Sequence, residues 1–129
     1  MAKTVSIDNF GAEIALAVQQ YTEDVSEAIL REVDATSKAV LDDIQARSPV
    51  RTGEYKKGWK RKKDGKGDRI KYTIYQAKKP RIAHLLEFGH AKIGGGRVRA
   101  REHIRPAYEK HVPAMEKRIK RIVENGGGP

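Results

Sequence analysis

Three stretches of this 129-residue chain carry side chains whose types could do chemistry. His84, Glu87 and His90 offer two imidazoles and a carboxylate, the donor set of a metal site. Their spacing is not the His-x-x-x-His step that sets two rings on one helix face, and Gly89 interrupts the run before His90. The reading favoured here is a packed or solvated histidine pair with no metal. "GGGRVRAR", residues 94–101, joins a glycine loop to arginines and offers a backbone nest for an anion. It lacks the Gly-x-x-x-x-Gly-Lys-Ser/Thr of a phosphate loop and the dinucleotide fingerprint, so a flexible loop is favoured. No Gly-x-Ser-x-Gly occurs, the serines at 6, 26, 37 and 48 have no linked histidine pattern, and there is no cysteine. The expectation is a protein with no catalytic residues and no cofactor.

The third stretch is basic. Residues 56–71 contain nine Lys/Arg, interleaved or flanked by Tyr55, Trp59, Tyr72 and Tyr75, and arginines 97, 99, 101 and 105 follow. Cations on phosphates and rings under bases would make a single-strand nucleic-acid platform. The competing reading buries the rings and leaves the lysines to solvate the outer face of a strand. Alternation of Ile70, Tyr72 and Ile74 favours burial. A basic nucleic-acid-binding module stands as the alternative function.

Net charge is +10, unevenly spread. Residues 1–47 hold four Lys/Arg and nine Asp/Glu, a balance of −5, and the remainder a balance of +15. Surfaces of opposite sign suit nucleic acid, or head-to-tail packing of identical subunits. The length fits one domain, taken as residues 1–124, with 125–129 a disordered tail. No apolar run approaches a membrane span, and "MAKTVSIDNFGAE" has no apolar signal core.

These residues need elements to position them. Ile14, Val18, Tyr21, Val25, Ile29, Val33, Thr36, Val40 and Ile44 recur at three or four, predicting one helix over 8–47 with Asp8 as its cap. Pro49 ends it near Arg47. At about 1.5 Å per residue it would run roughly 50–60 Å, more than a domain of this size requires. Tyr55–Trp59 gives a weak strand signal; with Ile70–Tyr75 and the turn "DGKGD" it predicts a β-hairpin. "PRIAHLLEFG" predicts a short helix with Ile82, Leu85, Leu86 and Phe88 as apolar anchors and Gly89 as its stop. Residues 90–101 read as an open loop and "EHIRPA" as a short strand. The segment after it reads as an amphipathic helix, kinked or restarted at Pro113.

The order of these signals resembles the tail-component family of long-tailed bacteriophages. Pro49, Val50, Thr52 and Gly53 match its "PVxTG" stretch. Leu86, Glu87, Phe88 and Gly89 match its "(V/L)E(F/Y)G" stretch, and His103, Ile104, Arg105, Pro106 and Ala107 its "RPA" segment. Tyr55, Gly58-Trp59 and His90 depart from the usual residues, and "EHIRPA" lacks the first proline of the last motif. The resemblance spans roughly residues 10–124. It implies an α+β fold, a long N-terminal helix and a C-terminal helix packed on a small, mostly antiparallel sheet. It also implies a structural virion protein of tail completion and head–tail joining, assembled in the bacterial host cytoplasm. Its partners would be head–tail connector and tail proteins and further copies of itself in a ring, with weak contact to DNA and none to membrane. The partner-binding candidates are Lys60, Arg61, Lys62, Lys63, Lys66, Glu87, Arg97, Arg99, Arg101 and Arg105. Glu87 stands either as an arginine's partner, in its own or a neighbouring subunit, or as a surface carboxylate. Loop 90–101 and tip 60–69 are expected to order on docking.

Overall fold

The two-residue alternation of Arg69–Gln76 becomes the central strand of a sheet, with Ile70, Tyr72, Ile74 and Gln76 buried on one side. A computed structural model describes residues 2–7, 11–17, 21–49, 53–65 and 69–126. Strands β1 (Ala2–Ile7), β2 (Gly11–Ala17), β3 (Trp59–Asp64) and β4 (Arg69–Gln76) pair antiparallel in the order β1-β2-β4-β3. Helices α1 (Glu23–Arg47) and α4 (Ile104–Glu124) pack against this sheet and each other. Between β4 and α4 lie helix α3 (Pro80–Phe88) and a small ribbon, β5 (His90–Ala91) with β6 (Arg97–Val98). The α+β arrangement of a long N-terminal and a C-terminal helix on an antiparallel sheet is therefore what the chain adopts.

The helix predicted over 8–47 is shorter. Residues 11–17 are a strand, and α1 begins at Glu23, so the helix is about 37 Å long at about 1.5 Å per residue. The reason lies in β4. A hairpin of β3 and β4 alone would leave one row of β4 backbone groups unpaired, and two strands are marginal in water. Residues 11–17 fill that edge, setting Ala12 opposite Ile74 and Ile14 opposite Tyr72, all four buried. The cap is Thr22, whose hydroxyl accepts from Val25 N at 3.3 Å, and Glu23 and Asp24 complement the first turn. Asp8 lies outside the described residues. Pro49 stops the helix where expected, with Ser48 extended at ψ 133°.

α1 and α4 run antiparallel. Glu32 pairs with Arg118, and Asp43 meets His111 Nε2 at 2.9 Å, so the start of α1 lies beside the end of α4. Between them and the sheet sit Ile29, Val33, Val40, Ile44, Ile14, Ile74, Ile104 and Met115, all fully buried. Each such side chain stabilises the fold by about 1.5–3 kcal/mol relative to exposure.

Several local expectations are replaced. Glu54–Lys57 form a helical turn, α2, rather than strand; Gly53 starts it at φ +86°, and Tyr55 points inward. Residues 90–101 are not an open loop: the β5–β6 ribbon closes with Lys92 N donating to Gly96 O at 3.0 Å. "EHIRPA" holds no strand; α4 starts at Ile104 with Pro106 in its first turn, where no backbone donor is needed, and continues through Pro113. α3 and its stop at Gly89 fall as predicted, but its rotation does not. Ala83 and Glu87 face inward while Ile82, Leu85 and Phe88 are exposed. Asn125 and Gly126 turn the chain after α4; residues 127–129 lie outside the described residues.

Candidate functional site

Side chains from the end of α1, from α2, the start of β3, the end of α3 and the start of α4 meet in one buried polar cluster. Ser48, at the end of α1, donates its hydroxyl to Ile44 O at 2.6 Å and accepts from Trp59 Nε1 at 2.9 Å. Trp59, Tyr55 and His103 pack edge to face in a triangle, with ring centroids 5.6 to 5.8 Å apart. The Tyr55 hydroxyl lies 2.6 Å from His103 Nε2, and His103 Nδ1 lies 2.9 Å from Arg101 O and 3.2 Å from Glu87 Oε1. The Arg101 carbonyl can only accept, so Nδ1 carries the proton; in the neutral ring, Nε2 then accepts from Tyr55. Burial, and then the Glu87 charge, push the Tyr55 phenol up from its ordinary value, which keeps it a donor.

Glu87 is the hub. Its Oε1 accepts from His103 N at 2.8 Å and Ile104 N at 2.9 Å, and Oε2 accepts from Arg105 N at 2.9 Å. A carboxylate thus satisfies the orphan donors that open α4, at the end of the helix whose dipole favours negative charge. Glu87 is 2% exposed, so it is neither a surface carboxylate nor the partner of an arginine side chain. This cluster explains α3's rotation. Turning Glu87 inward forces the i−2, i+1 and i−5 positions, Leu85, Phe88 and Ile82, outward. Gly89 follows at φ 71°, ψ 177°, and a Cβ there would stand 2.6 Å from Val98 O.

His84 and His90 do not join Glu87 in a metal site. Their Nδ1 atoms are buried without hydrogen-bond partners, while Glu87 is committed to α4, and no group of three His, Asp or Glu side chains among the described residues is arranged for an ion. Three of the four rings of the base-stacking platform, Tyr55, Trp59 and Tyr72, are buried, which leaves only the half-buried Tyr75 to meet a base.

The cationic candidates fall in two groups. Lys60, Lys62 and Lys63 are exposed on β3, an edge strand. Arg61 is different. It stands opposite Ile74 on the helix-covered face, and its Nη1 donates to Asp34 Oδ1 at 2.6 Å, Ser37 Oγ at 2.7 Å and Asp34 O at 3.2 Å. Its guanidinium also lies 4.9 Å from the Tyr72 ring centroid, so it ties β3 to α1 rather than reaching outward. The hydrogen bond from Arg61 holds the Asp34 carboxyl below its ordinary value, against burial. Lys66 lies outside the described residues. The second group is Arg97, Arg99, Arg101 and Arg105, exposed along the approach to α4. Arg97 reaches Phe88 O at 3.3 Å, and Arg105 lies 3.6 Å from Glu109.

Sequence reasoning missed the exposed apolar set of Ile82, Leu85, Phe88 and Ile93, the last wholly exposed at the ribbon's turn. An isoleucine wedged between Lys92 and three glycines was the available signal. The described surface also has hollows. One of about 450 Å³ lies between α1 and the β3–β4 hairpin, lined by Leu30, Asp34, Lys63 and Tyr72 among others. One of about 330 Å³ lies at the end of α4, lined by Tyr21, Glu116, Ile119, Lys120, Val123 and Glu124. No helix among the described residues is long and apolar enough to cross a membrane.

Residues 12–89 match the family model HK97-gp10_like, described as "Bacteriophage HK97-gp10, putative tail-component". No match is found among curated proteins or solved structures. The matched span is more than half of the chain and contains Ser48, Tyr55, Trp59 and Glu87, four of the five side chains of the buried cluster. Because that match covers more than half of it, the chain belongs to the HK97 gp10-like family of bacteriophage tail components.

Proposed function

We propose that this phage tail-related structural protein completes the tail and helps join it to the head, acting in the virion by oligomeric assembly and not by catalysis. The observation that carries the reading is where the family segments sit. Two of them, through Glu87 and His103, are held in a buried scaffold, and the exposed cations on β3 and along residues 97–105 lie outside it, free to recognise a partner. Neighbouring copies meet head to tail, the acidic surface of one against the cations of the next, a contact that forms a ring if its rotation closes. Glu32, Asp34 and Asp43 are paired within the chain. The exposed acids of α1 left for a neighbour are Glu23, Asp24 and Glu27 at its start and Asp42 towards its end.

In this reading Lys60, Lys62, Lys63, Arg97, Arg99, Arg101 and Arg105 contact connector and tail proteins or the next subunit. Any contact with DNA in the channel is mainly to phosphates, with Tyr55, Trp59 and Tyr72 buried. Electron microscopy of particles and purified tails tests the proposal. Density for the protein at the head-proximal end of the tail, with free heads and tails accumulating in its deletion, is expected. A protein absent from the particle, with joining normal without it, ends the reading.

A further inference from the structure

We infer that the β5–β6 ribbon is a docking arm for a second copy of this chain, with Ile93 seated in the hollow at the end of α4. This deepens the ring-assembly reading and rests on it. Three observations lead there. Ile93 is fully exposed at a turn, and α3, which leads into the ribbon, also leaves Ile82, Leu85 and Phe88 exposed, a consequence of the inward turn of Glu87. The segment that carries them is cationic: Lys78, Arg81, Lys92, Arg97, Arg99 and Arg101 are all exposed, and the only carboxylate between residues 78 and 101 is the buried Glu87. Exposed apolar side chains on a cationic segment fit an apolar recess among carboxylates.

This chain carries such a recess. The hollow of about 330 Å³ at the end of α4 is floored by Tyr21, Ile119 and Val123, with Glu116 and Glu124 in its lining. The antiparallel packing of α1 on α4 sets the exposed Glu23, Asp24 and Glu27 at the same end. Lys120 lines the hollow too, and Lys117 and Arg121 lie on the neighbouring turns, but with Glu23, Asp24 and Glu27 this end holds five carboxylates against these three cations. An isoleucine side chain is small enough for this volume. The arm cannot reach the hollow of its own chain. The arm is held at the start of α4, where Arg101 N donates to Leu86 O and Glu87 caps the helix. The hollow lies at the other end, roughly 25 Å away at about 1.5 Å per residue. Arm and hollow on one subunit are therefore complementary and separate, which is the form of a head-to-tail contact.

The natural absence of cysteine gives a clean test. Ile93→Cys and Val123→Cys are introduced together into the full chain and the purified protein is oxidised. A disulfide ladder extending beyond the dimer is expected, because each subunit then offers one thiol to each neighbour. Either single variant, with one thiol per chain, stops at the dimer. Circular dichroism checks folding, and Lys120→Cys replaces Val123→Cys should that variant unfold. Arg97→Glu with Arg99→Glu in the double-cysteine background should abolish the ladder, and adding Glu23→Lys with Glu27→Lys should restore it. A double variant that never exceeds the dimer overturns the contact, and so does capture of the Ile93→Cys thiol in tails by a different virion protein. The tail reading survives both results. A ladder from a protein that microscopy finds absent from particles sinks the tail reading and leaves the contact standing.

Discussion

Glu87 and His103 are joined twice: the carboxylate accepts from the His103 backbone at 2.8 Å and lies 3.2 Å from its ring Nδ1. Through that pair α3 fixes where α4 begins, because the same carboxylate accepts from Ile104 and Arg105. Removing it leaves three amides without a partner, two of them on fully buried residues. At about 1–3 kcal/mol for an unsatisfied buried donor, Glu87→Ala should lose about 3–5 kcal/mol of unfolding free energy. Glu87→Gln, which keeps one acceptor oxygen, should lose less. Urea denaturation of the two variants measures the difference, and equal, small losses would show that the cap does not hold α4.

Asp34 gives the fold an acid limit. The hydrogen bond from Arg61, opposed by burial, holds its carboxyl below the ordinary 3.8. The folded value is the lower one, so its contribution is present above 3.8 and lost as pH falls through the folded value. In Asp43 burial pushes upward, but the hydrogen bonds from Arg47 and His111 outweigh it and the net shift is again downward. Asp34→Asn should flatten the acid side of a stability-versus-pH curve. Arg61→Ala should flatten it as well, with a loss of about 1 kcal/mol at neutral pH, since the pair is partly exposed. A curve unchanged between pH 2 and 4 in both variants would place the acid limit elsewhere.

What the sequence revealed, and what it hid, follows from the range of the interactions. The end of α1 at Pro49, the start of α3 at Pro80 and its stop at Gly89 are set by local backbone chemistry, and each was legible. The start of α1 was not. Ile14, Val18 and Tyr21 keep helical spacing with the residues that follow, but β4 needs a partner on its second edge, and that demand comes from far along the chain. The rotation of α3 was hidden for the same reason. Its apolar residues mark the inner face only until Glu87 is required by amides sixteen and more residues away. Arg61 read as one of a run of surface cations. Its inward side is decided by the register with Ile74, which no short window contains.

Tyr55 sets an alkaline limit. Burial and the Glu87 charge raise its phenol above the ordinary 10.0, so the folded state holds the proton more tightly than the unfolded chain. That contribution is full below pH 10 and is lost as pH rises towards the folded value, because the unfolded state alone can ionise. Tyr55→Phe removes the bond to His103 and should destabilise the protein by about 1–2 kcal/mol at neutral pH. Between pH 10 and 11.5 the wild type should lose stability faster than the variant. Parallel losses in guanidinium titrations across that range would mean that Tyr55 ionises freely in the folded protein.

Gly89 is where the scaffold and the arm are coupled. Its φ of 71° and ψ of 177° lie in a region that only glycine occupies readily, and a side chain would press on the Val98 carbonyl, 2.6 Å from the Cβ position. Gly89→Ala should therefore cost about 1–3 kcal/mol, close to the range for a residue forced into such a conformation. The strain falls on the join between α3 and the β5–β6 ribbon, beyond the central sheet and α1. The variant should keep most of its circular dichroism at room temperature while the ribbon loses its fixed direction. Two readouts separate these effects: the thermal midpoint should fall by several degrees, and the Ile93→Cys, Val123→Cys ladder should shorten even well below that midpoint. A lowered midpoint with a full ladder would show that the arm finds its partner without help from Gly89, and an unchanged midpoint would show that the backbone there relaxes at no cost.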